Sequence, residues 1–83
     1  MTRPPLQDFL IHEADDSVRA QLLDAIDQLA AGRRYFTYNT FNIQLDADTQ
    51  LATVEDELDV ERSETVGLAT FADLLRTALK RQP

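Results

Sequence analysis

The fold is decided by the stretch RYFTYNTFNIQLDADTQLATVEDELDVE, which runs from residue 34 to residue 61. Residues 34–45 alternate with period two and are rich in aromatic and β-branched side chains, which is typical of a strand with one buried face. Residues 46–49 contain two aspartates, whose side chains accept hydrogen bonds from nearby backbone amides and so favour a turn. The stretch therefore predicts a β-hairpin whose second strand covers residues 50–61.

The second predicted strand is the less regular of the two. Leu51, Val54 and Leu58 also fit a helical repeat, and glutamate, aspartate and leucine are not strong strand formers. A strand is preferred because a four-residue loop then pairs Ile43 with Ala52 and fills the inner face with apolar residues. The sequence alone leaves the choice between strand and helix open.

Helical patterns precede the hairpin. Residues 6–13 have the pattern of a short amphipathic helix, and a longer helix follows it. The side chains at 15–17 are suited to cap the longer helix, and Gly32 is a suitable stop. The apolar positions of this helix recur at helical spacing, whereas Arg19 falls on its opposite, polar side.

After the hairpin, residues 66–68 are apolar enough for a short third strand, and residues 70–73 fit the capping-box pattern that opens a final helix. The predicted fold is α+β, a small antiparallel sheet with helices packed on one face, in the order α-β-β-(β)-α. Residues 1–83 are expected to form one domain, with residues 1–5 as a flexible tail.

Negative charge is concentrated in the hairpin region. The chain has 15 acidic residues and 8 lysines and arginines, a formal net charge of −7. Residues 46–64 hold eight acids and one base, whereas the rest of the chain holds seven of each. A concentrated field attracts a basic partner and accelerates encounter. It also repels phosphate and anionic lipid, so neither nucleic acid nor a membrane is an expected partner.

In the predicted register, the outward-facing side chains of the hairpin form one candidate binding surface. Acids at alternate positions of the second strand would stand about 6.5–7 Å apart, beside two aromatic side chains of the first strand. Carboxylates at this spacing repel one another by about 0.6 kcal/mol in a water-like dielectric, and a basic partner would relieve that repulsion. The candidate partner-binding residues are Phe36, Tyr38, Glu55, Asp56, Glu57, Asp59 and Glu61.

The same residues allow two other interpretations. The first, which is slightly favoured, is a solvated face whose charges only prevent edge-to-edge aggregation. The second is a homodimer that buries Phe36 and Tyr38, or that pairs the hairpin edge with another chain. The alternative function is therefore a non-catalytic structural or homodimeric assembly module.

Catalytic and cofactor-binding motifs are lacking. The chain has no cysteine, and its one histidine, His12, has no visible nucleophile partner. Asp46 and Asp48 lack the glycine and the later glutamate of a calcium loop. Arg33 and Arg34 precede aromatic residues, as in some RNA-binding strands, but the neighbouring acids would repel phosphate. We therefore expect no enzyme activity, no cofactor and no metal.

The residues together favour an acidic protein-binding inhibitor. A compact acidic domain can cover a basic surface of a partner, as a bacterial immunity protein does when it neutralises a cognate toxin. The N-terminal residues lack a secretion-signal pattern, and no apolar run reaches the roughly twenty residues that span a bilayer. A cytoplasmic location is therefore expected.

Overall fold

In the computed structural model, which describes residues 5–80 apart from the side chains at positions 60 and 78–80, helices cover one face of a four-stranded antiparallel sheet. The helices are α1 (Pro5–His12), α2 (Asp16–Gln28) and α3 (Leu68–Lys80). The strands are β1 (Arg33–Tyr38), β2 (Phe41–Asp46), β3 (Leu51–Asp56) and β4 (Asp59–Gly67). Their order in the sheet is the same as their order in the chain. The predicted α+β class is confirmed, with the element order α-α-β-β-β-β-α. Of the predicted tail, residues 1–4 lie outside the described residues.

Each of the two long strands predicted from the sequence is interrupted by a tight turn. Asn39 and Thr40 separate β1 from β2, and Glu57 and Leu58 separate β3 from β4. Asn39 adopts a φ of 54°, a left-handed conformation that asparagine tolerates better than most residues do. Residues 66–67, predicted within a short third strand, are the end of the nine-residue β4. The predicted hairpin is therefore a four-stranded meander.

The turn between β2 and β3 lies one residue later than predicted, at 47–50 rather than 46–49, and the register therefore differs by two residues. Ile43 pairs with Val54 rather than with Ala52, and Ala52 pairs with Leu45. Because successive side chains of a strand alternate between faces, a shift of two residues leaves the same side chains buried. The predicted inner face of β2 and β3 is therefore confirmed.

The turn between β1 and β2 changes which side chains of β1 face the core. Phe36 pairs with Ile43, and Tyr38 pairs with Phe41, so both aromatic residues share the helix-covered face. Both are partly buried and pack against the core. The prediction that Phe36 and Tyr38 lie on the outer face is wrong, because it assumed an unbroken strand from 34 to 45.

The core lies between the sheet and the three helices. Full burial of one of its large apolar side chains is worth about 1.5–3 kcal/mol. The largest fully buried side chains are Phe9, Leu22, Ile43, Leu45, Val54, Phe71 and Leu75.

A buried arginine connects the three helices. Arg19 is only 5% exposed, although the helical repeat placed it on the polar side of α2. Its guanidinium donates to the carbonyls of Leu10 (2.8 Å) and Ala14 (2.6 Å) around the end of α1, and to that of Leu75 (3.2 Å) in α3. Burial lowers the pKa of Arg19, and nearby Asp16 partly opposes this effect. The arginine satisfies carbonyls that the end of α1 leaves without helical donors.

The helix boundaries agree with the sequence patterns in part. Asp15 caps α2, as predicted, by accepting a hydrogen bond from the amide of Val18 (2.9 Å). The helix ends four residues before Gly32, whose φ of 79° belongs instead to the bend that leads into β1. Because α3 begins at Leu68, the capping pattern at 70–73 lies inside that helix.

Candidate functional site

Asp46, the last residue of β2, closes the β2–β3 turn from a buried position. Its Oδ1 accepts hydrogen bonds from the amides of Asp48 (2.9 Å) and Thr49 (3.3 Å), and its Oδ2 accepts one from Nε of Arg33 (3.1 Å). Burial acts to raise the pKa of Asp46, but these amides and the Arg33 charge outweigh it and hold the pKa below its ordinary value. The carboxylate is thus engaged within the fold.

Asp56, the last residue of β3, has the same role at the opposite end of the sheet. Its Oδ1 accepts a hydrogen bond from the amide of Leu58 (2.9 Å), and its Oδ2 contacts Arg62 (2.9 Å). Arg62 also contacts Asp8 in α1 (3.1 Å). Asp56 is 8% exposed and belongs to the helix-covered face. It therefore holds the β3–β4 turn against α1 and lies apart from the exposed acids.

The predicted outward ridge of evenly spaced carboxylates on one strand is wrong. Glu55 lies on the helix-free face of β3, where it accepts a long hydrogen bond from Asn42 (3.4 Å). Glu57 lies in the turn, whereas Asp59 and Glu61 belong to β4. An unbroken strand would have aligned these acids. The turn instead distributes them over two strands and a loop.

A different acidic surface is formed where β3 turns into β4. We call it the acidic tip and define it as Glu57, Leu58, Asp59 and Glu61, all of which are exposed. Leu58 is 82% exposed, more than any other large apolar side chain among the described residues. None of the three acids forms an ion pair with another described residue. The amide of Glu57 donates to the carbonyl of Thr40 (2.7 Å), which places the tip beside the β1–β2 turn.

The two aromatic residues predicted to join the acids belong instead to the margin of the core. The rings of Phe36 and Tyr38 stack 6.1 Å apart, and the guanidinium of Arg34 lies 5.1 Å from the Phe36 ring centre. Tyr38 also contacts the ring of Phe9 at 6.0 Å, and its hydroxyl donates to Oε1 of Gln21 (2.6 Å). Burial raises the pKa of Tyr38. These contacts serve the fold, so the aromatics do not supply an apolar centre for the acidic tip.

A groove that the sequence did not reveal lies between α1, β4 and α3. It has a volume of about 250 Å³. The lining residues are Leu6, Gln7 and Leu10 of α1, Glu64 of β4 and Leu74 of α3.

Glu64 is the only carboxylate that lines this groove among the described residues. It pairs with Val54, so it lies on the helix-covered face of the sheet. Its Oε1 atom is buried and accepts no hydrogen bond from any described residue. A buried carboxylate oxygen without a donor costs about 1–3 kcal/mol or more. The groove therefore combines apolar walls with an unsatisfied acceptor.

Chemistry of other kinds has little support in the described part of the chain. His12 is exposed at the end of α1, and no three histidine, aspartate or glutamate side chains between residues 5 and 80 are grouped to hold a metal ion. None of α1, α2 and α3 is long and apolar enough to cross a bilayer. Comparison with protein-family models, with curated proteins and with solved structures gave no match.

Proposed function

We propose that this protein is a non-catalytic inhibitor that binds a basic surface of a protein partner through its acidic tip. The observation that carries the proposal is the tip itself: within three residues of Leu58, which is 82% exposed, there are three exposed acids that form no ion pair with another described residue. In a complex, Leu58 would be desolvated at the centre of the contact, and the acids would pair with lysines and arginines around it.

The tip changes the set of proposed contact residues. Glu57, Asp59 and Glu61 stay in the set, and Leu58 joins it as the apolar centre. Glu55 lies on the neighbouring helix-free face of β3, where it would contact only the margin of a partner. The predicted contacts of Phe36, Tyr38 and Asp56 are not part of this proposal, because these side chains are packed or paired within the fold.

Inhibition follows when the covered surface is one that binds phosphate. Nucleic-acid-binding enzymes hold phosphates with clusters of lysine and arginine, and an acidic domain bound there would exclude the substrate. A bacterial immunity protein that neutralises a nuclease toxin acts by this principle. We propose the cytoplasm as the compartment, because such a toxin must be neutralised where the cell's own nucleic acids lie.

The test is capture of a partner from the source cell at low salt with two matched baits. One bait carries E57Q/D59N/E61Q in the acidic tip. The other carries D24N/D27N/D73N, which removes the same charge from exposed acids of α2 and α3. We expect the wild type and the second bait to retain a basic protein that the first bait loses. With the purified partner, the association rate should fall at least about tenfold as salt is raised. Equal capture by both variant baits would contradict the proposal.

Homodimeric assembly is a second candidate function, and the composition of β1 supports it. β1 and β4 are the two edge strands of the sheet. β4 carries acids along its length, whereas β1 has the sequence RRYFTY, with no acid and no proline. After its two arginines the strand is uncharged from Tyr35 to Tyr38, and uncharged edge segments tend to pair with other chains. Tyr35 is 66% exposed.

Sedimentation equilibrium at micromolar concentration tests this second candidate. A dimer that dissociates in the Y35K variant, with the helical content unchanged, would support assembly through β1. A wild-type protein that stays monomeric would exclude it.

A further inference from the structure

We infer that the groove between α1, β4 and α3 binds the side chain of a lysine or arginine from the partner protein, with Glu64 as its counter-ion. The inference rests on the proposed function in one respect: it takes the ligand to be part of a basic protein rather than a free amine. It adds a second contact site, which is separate from the acidic tip and has its own chemistry.

The walls of the groove suit an aliphatic stem. Leu6 and Leu10 contribute from α1, and Leu74 contributes from α3. Lysine and arginine both carry three or four methylene groups that pack along apolar surface while the charged head reaches a polar partner. A purely acidic groove would attract any cation, whereas this one selects a cation on an apolar chain.

The carboxylate of Glu64 defines the charge of the ligand. Its Oε1 atom is buried and lacks a donor among the described residues, so a group that enters with an N–H would satisfy it. An ammonium or guanidinium forms a charge-assisted hydrogen bond there, which is stronger than a neutral one. The nearest base on the same face of β4, Arg62, already contacts Asp56 and Asp8.

The location of the groove favours a protein side chain as the source of the cation. Glu64 and two acids of the tip, Asp59 and Glu61, belong to the same strand. The register of β4 shifts between these two acids, so they lie closer together than the ~16 Å that five residues of a regular strand would span. A basic surface that docks on the tip is wide enough to reach this distance, since a standard interface covers about 800 Å² on each partner.

The probes for the test are blocked amino acids. N-acetyl-arginine methylamide is titrated into the uniformly ¹⁵N-labelled protein, and the amide shifts of Leu10 and Leu74 are followed by NMR. N-acetyl-norleucine methylamide is the apolar control, and n-butylammonium represents a free amine. We expect saturable shifts with the arginine probe, none with norleucine, and weaker binding of n-butylammonium, which lacks the peptide groups that flank a protein side chain.

Two variants assign the counter-ion. E64Q keeps the size of the side chain and removes its charge, and it should weaken the arginine probe at least about tenfold. D27N removes one charge from an exposed position of α2, which does not line the groove, and should leave the affinity unchanged. Binding that is equal in E64Q and wild type, or no binding of the arginine probe at all, would overturn the inference. Tighter binding of n-butylammonium than of the arginine probe would overturn the inference that the ligand is a side chain of a protein rather than a free amine.

The captured partner separates the two proposals. If the tip variant loses the partner while E64Q binds it with wild-type affinity, the groove inference fails and the proposed function stands. If the tip variant retains the partner, the proposed function fails whatever E64Q does.

Discussion

The two ends of the sheet use negative charge in different ways. At the β2–β3 end, Asp46 accepts hydrogen bonds from two amides of the turn and contacts Arg33. Asp48 accepts a hydrogen bond from the amide of Gly32 (3.3 Å). At the β3–β4 end, Asp56 closes its turn in the same manner and contacts Arg62. The three acids that follow Asp56 in the acidic tip, however, have no basic partner among the described residues.

This difference shows that local charge density is a poor guide to a binding surface. The acidic stretch at 46–64 looks uniform in the sequence, yet its first half consists largely of groups that hold turns together. The acids of the tip, which are exposed and have no basic partner among the described residues, all lie in its second half. The candidate surface is therefore smaller than the charge distribution suggests, and it is centred on Leu58.

Among the acids, the largest expected effect on stability comes from removing the aspartate that closes the β3–β4 turn. D56A leaves the Leu58 amide without its acceptor and Arg62 with only part of its counter-charge, so we expect a loss of about 2–3 kcal/mol in the free energy of unfolding. D56N keeps the acceptor and should lose less. Urea denaturation with an unchanged m-value measures both. The exposed neighbour provides the control. Asp59 also accepts a backbone hydrogen bond, from the amide of Glu61 (3.2 Å), but this bond is exposed to solvent, so D59A should cost under about 0.5 kcal/mol. Similar losses for D56A and D59A would remove the distinction between the buried acid that closes the turn and the exposed acids of the tip.

A smaller effect, which depends on pH, is expected at the other end. The pKa of Asp46 is lower in the folded protein than its ordinary value of 3.8, so folding favours the charged form. The ionised Asp46 side chain therefore contributes fully to the free energy of unfolding at a pH above its ordinary pKa. This contribution is lost as the pH falls through the pKa of the folded state. Arg33 is 59% exposed, so solvent screens part of the attraction.

The variant D46N tests this pH dependence. We expect it to melt below the wild type at neutral pH, with a difference in Tm that narrows as the pH falls below about 4. Thermal unfolding followed by circular dichroism between neutral and acidic pH measures it. A difference in Tm that stays constant over the whole range would show that Asp46 does not act through its charge.

The sequence predicted the features of the fold that depend on a single helix or turn. The cap at Asp15 and the apolar repeat of α2 are local patterns, and the structure confirms them. The turn between β2 and β3 was predicted to within one residue because aspartates stand where the chain must reverse. The turn after Asp56 depends on the same chemistry, but the surrounding run of acids and the absence of glycine or asparagine at 57 and 58 concealed it.

The parts of the structure that were missed depend on several elements at once. Arg19 is buried because the carbonyls of α1 and α3 converge on it, which a repeat within α2 does not encode. Glu64 lines a groove only because the register of β3 and β4 shifts between Glu55 and Asp56, which brings Glu64 onto the helix-covered face. The β1–β2 turn had one weak signal in the sequence: Asn39 is a polar residue on the predicted inner face of the strand. Its two-residue turn lacks the glycine that usually marks such a position.

The smallest expected change in stability is at Leu58, and it separates a role in folding from a role in binding. With 82% of its surface exposed, Leu58 contributes little packing, and serine is a common residue in turns. L58S should therefore change the free energy of unfolding by less than about 0.5 kcal/mol. In contrast, L45A removes a fully buried leucine and should cost about 2–5 kcal/mol.

The same variant should weaken binding of the captured partner at least about tenfold, because an apolar side chain at the centre of a contact loses its desolvation gain when it becomes polar. Urea denaturation and titration calorimetry on one preparation give both quantities. If L58S unfolds as easily as L45A, Leu58 belongs to the fold. If it is stable and binds as well as the wild type, the three acids alone form the contact and the leucine is incidental to it.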